Sequence, residues 1–349
     1  MSIKVLVVDD SLFMRTLISD MLNSDPKIEV IATAKEGREA IDKISRVRPD
    51  CITLDLAMPG WDGMTTLKHI MSECPVPVVI LSAYSKQDAD VTIECIKTGA
   101  VGFVLKPSGE LSLNIEKVKH QLIEEVKAAS KVELKKIRLL AAKKPKQHKQ
   151  KLADVNKIFV IGASTGGMQT LESILPFLPA DFPSPIIVAQ HVPNMFFTQS
   201  FAQHLNRQCE LTVKVANDNE TIEAGKIYLA PGGSHMTLRL LPNKEVAAHI
   251  KDAKSDILTP SVDLVMESAA KIFYENVVGI ILTGMGDDGR QGAKAIKQAG
   301  GSTIVQDESS LIFGMPKAVI DAGYADKILP AGEIAEVMME SVSQESINA

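Results

Sequence analysis

Cysteine is scarce in this chain of 349 residues: Cys51, Cys74, Cys95 and Cys209 are the full set, with no CxxC and no paired spacing. That argues against a disulfide scaffold, and reduced core thiols are the expected state. No apolar run approaches the roughly 20 residues a membrane-spanning helix needs. Neither charge sign dominates, with 38 Lys and Arg against 43 Asp and Glu and a net charge of -5. Nucleic-acid binding therefore has no global electrostatic basis. The chain opens directly on a strand-like run ending in Asp9-Asp10 rather than on a secretory signal. A soluble, cytoplasmic, monomeric protein without membrane insertion is the expectation.

What the chain does have is alternation. Strand-like runs at residues 4–8, 29–34, 51–55, 76–82 and 101–106 are separated by amphipathic stretches, such as the face formed by Met14, Leu17, Ile18, Met21 and Leu22. Five such repeats predict a parallel sheet with helices on both sides. Residues 130–151 then carry nine Lys or Arg against one acid, Glu133, which reads as a solvated basic linker whose first part continues the preceding helix. From about residue 154 strand-like runs resume at 157–161, 185–190, 211–216, 226–230 and 277–283, with an antiparallel hairpin turning at Pro242-Asn243-Lys244. Thr259-Pro260 has the form of a helix start.

Ligands of an open parallel sheet sit at the carboxyl ends of its strands. In the front half these ends deliver Asp9, Asp10, Asp55, Ser82 and Lys106 to one edge. Three crowded carboxylates call for a hard divalent cation, and Mg²⁺ suits oxygen donors. With the metal in place Asp55 can attack a phosphoryl group, while Lys106 and Ser82 hold its oxygens.

In the rear half the turn at residues 162–167, Gly-Ala-Ser-Thr-Gly-Gly, lies between a strand and a helix expected at 168–175. It fits G-x-S-x-G, the elbow that exposes a nucleophilic serine, here Ser164. A dinucleotide-binding turn would need an acid at the end of the next strand, where His191 stands instead. A nucleophile needs a base and the base an orienting carboxylate. His191 supplies the first and Asp287-Asp288, after the run 277–283, the second. His235 competes with His191 on spacing, and His191 is favoured by its place at a strand tip. The order Ser, His, Asp differs from that of the α/β-hydrolases.

Residues 1–125 resemble the receiver domain of response regulators. The resemblance implies a flavodoxin-like (βα)5 fold, Asp55 as phosphoacceptor, and Mg²⁺ held by Asp9, Asp10, Asp55 and the carbonyl of Ala57. It also implies switch positions at Ser82 and Phe103 and a cis Lys106-Pro107 bond. The whole chain resembles the chemotaxis receptor-glutamate methylesterase family (CheB). The matching stretches are 161–167, Gln190-His191, 230–232, Pro260-Ser261-Val262-Asp263, 282–286, Asp288-Gly289 and Gly314-Met315-Pro316. By that resemblance residues 154–349 form a second, mostly parallel α/β methylesterase domain with a β-hairpin insertion, joined by a linker at 126–153. Ser164 is then the nucleophile, His191 the base and Asp288 the acid, with Thr165 and Met285 near the oxyanion through backbone N–H groups. Two departures, an extra residue within 192–198 and Thr259 in place of a basic residue, bear on substrate fit. The implied substrates are γ-glutamyl methyl esters of chemoreceptors and, in many members, receptor glutamines; the implied phosphodonor is the chemotaxis histidine kinase. No cofactor is implied in the esterase site. The rival classes are a receiver with a DNA-binding output, against which the lack of a helix-turn-helix stretch argues, and a non-enzymatic scaffold, against which the intact triad candidates argue.

Overall fold

The computed structural model describes residues 2–107, 115–136, 157–253 and 258–343. The chain divides into two compact units, Met1–Ile137 and Arg138–Ala349.

In the front unit strands β1 (Ile3–Val8), β2 (Ile28–Ala34), β3 (Cys51–Asp55), β4 (Val78–Ser82) and β5 (Gly102–Leu105) form one parallel sheet in the order β2-β1-β3-β4-β5. Strands β3 and β4 are buried along their whole length, because helices cover both faces and leave no side for polar alternation. The helices are α1 (Leu12–Asn23), α2 (Gly37–Val47), α3 (Gly63–Glu73), α4 (Lys86–Thr98) and α5 (Ile115–Ala129). Ser11, Asp62 and Ser85 cap α1, α3 and α4 by accepting a backbone N–H three residues on. Strand β4 starts two residues later than the apolar run suggests: Pro77 has no N–H for the ladder, and only its carbonyl takes part, accepting from Ile52 at 2.9 Å. Helix α5 buries Val126, Ala128 and Ala129, so front-unit packing runs past residue 125 into the stretch expected as linker. Within that stretch residues 137–153 lie outside the described residues.

The rear unit holds a seven-stranded parallel sheet in the order β14-β13-β12-β6-β7-β9-β8. Its strands are β6 (Ile158–Ala163), β7 (Ile186–Gln190), β8 (Thr212–Val215), β9 (Lys226–Leu229), β12 (Val277–Ile281), β13 (Ser302–Gln306) and β14 (Lys327–Leu329). The expected hairpin is a separate antiparallel pair, β10 (Ser234–Leu240) with β11 (Val246–Asp252). The helices are α6 (Gly167–Glu172), α7 (Met195–Asn206), α8 (Val262–Phe273), α9 (Arg290–Gln298), α10 (Met315–Asp321) and α11 (Ala331–Glu340). Met236, Leu238 and Ala248 of the hairpin share a buried cluster with Val265, Met266 and Ala269 of α8. The hairpin's apolar face thus finds the cover that an isolated two-stranded ribbon lacks.

Two local expectations are corrected. Helix α8 is capped by Ser261, not Thr259, and starts at Val262. Thr259 is held off the helix because its carbonyl accepts from Val192 N at 2.9 Å and its hydroxyl from Gly233 N at 3.0 Å. Among the described residues the cis peptide bond lies at Thr259-Pro260, while Lys106-Pro107 is not cis; trans is the lower-energy isomer of an X-Pro bond unless its surroundings select otherwise.

Candidate active site and phosphoacceptor site

The front sheet brings Asp9, Asp10 and Asp55 together, with one carboxylate oxygen from each lying within 4.8 Å of the others. Asp9 and Asp55 are buried and Asp10 is exposed, so the cluster opens to solvent on one side. Lys106 Nζ lies 2.8 Å from Asp9 Oδ2 and 2.7 Å from Asp55 Oδ1. Burial pushes the Asp9 carboxyl up, against the opposing pull of Lys106. Burial also weakens the Lys106 ammonium, but Asp55 and Asp9 outweigh it and raise its pKa, so it stays charged. Arg15 Nη1 fastens the loop by donating to the carbonyls of Asp9 (2.7 Å) and Asp10 (2.9 Å). Ala57 donates its N–H to Asp55 Oδ1 at 3.2 Å. Ser82 is fully buried with Oγ 2.9 Å from Thr92 Oγ1, and Phe103 is half-buried on β5. A set of hard oxygen donors with one solvent-facing member fits Mg²⁺, which keeps several waters.

In the rear unit the three triad candidates follow adjacent strands: Ser164 after β6, His191 after β7 and Asp288 beyond β12. Strand β6 is the point from which the chain first builds toward β7 and later returns on the other side as β12. Such a reversal opens a crevice at the strand ends.

His191 Nδ1 lies 3.1 Å from Ser164 Oγ, and its Nε2 lies 2.8 Å from Asp288 Oδ2. A proton on Nε2, donated to Asp288, leaves Nδ1 to accept from the serine. Asp288 Oδ2 also accepts from Val262 N at 2.8 Å, and Oδ1 from Asp263 N at 2.9 Å and Gly289 N at 3.0 Å. Burial pushes the Asp288 carboxyl up, but the bond from His191 and these N–H donors outweigh it, leaving the group below the usual carboxylate range. Asp288 therefore stays ionised beside the imidazole. Asp287 points away from this network, exposed and paired with Arg290 at 2.9 Å. His235 does not face Ser164: its Nδ1 accepts from Ser261 N at 3.1 Å, at the start of α8.

The elbow has little freedom. Gly166 has φ +78°, and a Cβ on Gly167 would fall 2.1 Å from Gln190 Oε1. Gln190, absent from the sequence expectations as a site residue, braces the turn by donating to the carbonyls of Ser164 (2.9 Å) and His191 (3.1 Å). The amide of Ser164 is committed to Thr283 O at 3.0 Å. Thr165 is buried, and its carbonyl accepts from Thr283 Oγ1 at 3.0 Å. Met285 follows Gly284, where a Cβ would lie only 2.8 Å from Ser164 Cβ. The Gly284-Met285 turn thus abuts the serine. Thr259 ties the loop after β7 to the loop after β9 rather than lining the triad.

Residues 159–338 match the family model described as CheB methylesterase, and residues 5–116 match that of the response regulator receiver domain. The chain is 43% identical over 346 residues to the protein-glutamate methylesterase/protein-glutamine glutaminase of Pyrococcus horikoshii, covering 97% of this chain and 94% of that one. It is 42% identical to the protein of the same name from Thermotoga maritima, over 97% and 98% of the two chains. The crystal structure of the Thermotoga maritima CheB methylesterase catalytic domain matches at 45% identity with a TM-score of 0.52, spanning 54% of this chain and all of that one.

Proposed function

This chain belongs to the CheB methylesterase family, with a response regulator receiver ahead of the catalytic domain, and from that premise we propose that it hydrolyses γ-glutamyl methyl esters on chemoreceptors through Ser164, His191 and Asp288. The observation that carries the residue assignment is the unbroken run from Ser164 Oγ through His191 to Asp288, with links of 3.1 and 2.8 Å.

His191 Nδ1 takes the proton of Ser164 Oγ as the oxygen attacks the ester carbonyl. The imidazolium so formed keeps its Nε2–H on ionised Asp288, which holds the ring in one orientation and balances its charge. Backbone donors of Thr165 and Met285, the residues that adjoin the serine, stabilise the tetrahedral oxyanion. His191 then returns the proton to the leaving methoxide, releasing methanol, and water repeats the sequence to free the glutamate. The same attack on a glutamine amide releases ammonia, in keeping with the glutaminase named in the relatives.

The receiver supplies regulation. Asp9, Asp10, Asp55 and the carbonyl of Ala57 would hold Mg²⁺, whose charge makes phosphoryl transfer to Asp55 feasible. In this reading Lys106 and Ser82 meet the phosphoryl oxygens, and Ser82 and Phe103 relay the change. The chemotaxis histidine kinase is the phosphodonor, the site of action is cytoplasmic, and neither nucleic acid nor membrane insertion enters the scheme; among the described residues no helix is long and apolar enough to cross a membrane.

The test is methanol release from methylated receptor membranes. Ser164→Ala should lower it by at least about 10⁴-fold, as removal of a triad nucleophile does; turnover at the parent rate would reject the nucleophile.

A further inference from the structure

Two helices meet beside the triad at their N-termini, each leaving backbone N–H groups that its own first turn cannot satisfy. At α8 the donors are Val262 N and Asp263 N, and the acceptor is the carboxylate of Asp288, 2.8 and 2.9 Å away. At α9 the donors are Gly289 N and Gly292 N, and the acceptor is Asp263 Oδ1, 2.8 and 2.7 Å away. The caps are crossed: Asp288, two residues before α9, closes α8, and Asp263, inside the first turn of α8, closes α9. The N-cap residue just before α9 is Gly289, which has no side chain with which to cap the helix.

Crossing the caps ties two segments that are distant in the chain. Gly289 adjoins Asp288, so the bond from Gly289 N to Asp263 holds the peptide that carries the acid. A Cβ on Gly292 would sit 2.6 Å from Met266 Cβ and 3.2 Å from Asp263 Cα, so the two first turns approach as closely as glycine allows. Ser261 Oγ completes the clasp 3.3 Å from Asp288 Oδ1. With Oδ1 engaged by Asp263 N, Gly289 N and Ser261 Oγ, Oδ2 is held between Val262 N and His191.

Resting on the triad reading above, we propose that Asp263 is a positioning residue of the esterase: its carboxylate touches no reacting atom and fixes the orientation of Asp288 through the N-terminus of α9. The requirement is for an acceptor at Oδ1, where both bonds end. A side-chain amide can meet it and a methyl group cannot.

The experiment uses the full chain on methylated receptor membranes, comparing Asp263→Ala and Asp263→Asn with Ser164→Ala. Asp263→Ala should lower kcat by roughly 10- to 100-fold with KM within about twofold, since a small misplacement of a catalytic group acts on the chemical step and not on receptor binding. Asp263→Asn should recover most of that loss. The low-field proton resonance of the His191–Asp288 bond should disappear in the alanine variant and persist in the asparagine variant. Parent kcat in Asp263→Ala, or a folded Asp263→Asn as impaired as Asp263→Ala, would overturn the proposal while a dead Ser164→Ala left the triad standing. Should Asp263→Ala not fold, the asparagine comparison decides alone: kcat near the parent with the resonance retained supports the acceptor role, and a folded variant lacking both refutes it. An active Ser164→Ala would instead remove the triad and the clasp together.

Discussion

Asp263 sits where a carboxylate is costly to ionise. Burial pushes its pKa up to about 6, with the neighbouring charges of Asp288 and Glu267 adding to the rise against the pull of its two N–H partners. An unfolded aspartate titrates near about 3.9. Between those values the folded protein holds a proton that the unfolded chain gives up, so this group's contribution to stability is complete in acid and is lost as pH rises through about 6. Asparagine at the same position keeps an acceptor and cannot ionise. The thermal midpoint of Asp263→Asn relative to the parent should therefore climb from about pH 4 to about pH 7 and level off above that, and a difference that stays flat across that range would contradict the ionisation. Asp288, a few ångströms away, behaves oppositely, because His191 and the α8 donors favour its charged form. One site thus holds two carboxyls pushed in opposite directions. The thiols lie outside this chemistry: burial pushes Cys95 and Cys209 up to about 12, leaving them unreactive at neutral pH.

At the scale of elements, the catalytic turns are defined by how closely backbones meet. The Gly284 turn abuts the elbow so tightly that a Cβ there would also come within 2.3 Å of Met315 Sδ. Gly284→Ala should cost stability by about 1–3 kcal/mol, as overpacking does, and lower kcat by up to about 10²-fold through displacement of Ser164. Circular dichroism melting and methanol release would separate the two effects; an active variant would mean that the turn yields without moving the serine. Such contacts mark the limit of what the sequence makes legible. Strand ends could be read from apolar runs bounded by Asp, His and Gly, and that was enough to bring Ser164, His191 and Asp288 to one rim. His235 could not be set aside by spacing, because only the fold turns its ring toward Ser261. Strands β13 and β14 gave no comparable run: one spans five residues with polar ends and the other only three, mostly exposed. The crossed caps were hidden as well, since Ser261-Val262-Asp263 reads locally as one helix's own cap and acidic first turn, and the partner helix lies far along the chain.

At the scale of the whole molecule, each unit has its own sheet, and its functional carboxylates lie at the strand ends of that sheet. Under the proposed regulation, coupling between the two would need only a few kcal/mol of change in a phosphorylation-sensitive equilibrium. A small phosphodonor with Mg²⁺ should raise methanol release by the full chain and leave Asp55→Asn unchanged. A fragment beginning at residue 154 should exceed the unphosphorylated full chain; equal rates would argue against inhibition by the receiver. The topology of the rear sheet has a separate consequence. The exposed tip at Pro242-Asn243-Lys244 falls between the stretch bearing Ser164 and His191 and the stretch bearing Asp288, yet β6 and β12 pair directly. Opening the chain at that tip would yield two polypeptides, neither with a complete relay and each holding one side of the central strand pairing. Hydrolysis would then report whether the two pieces had met.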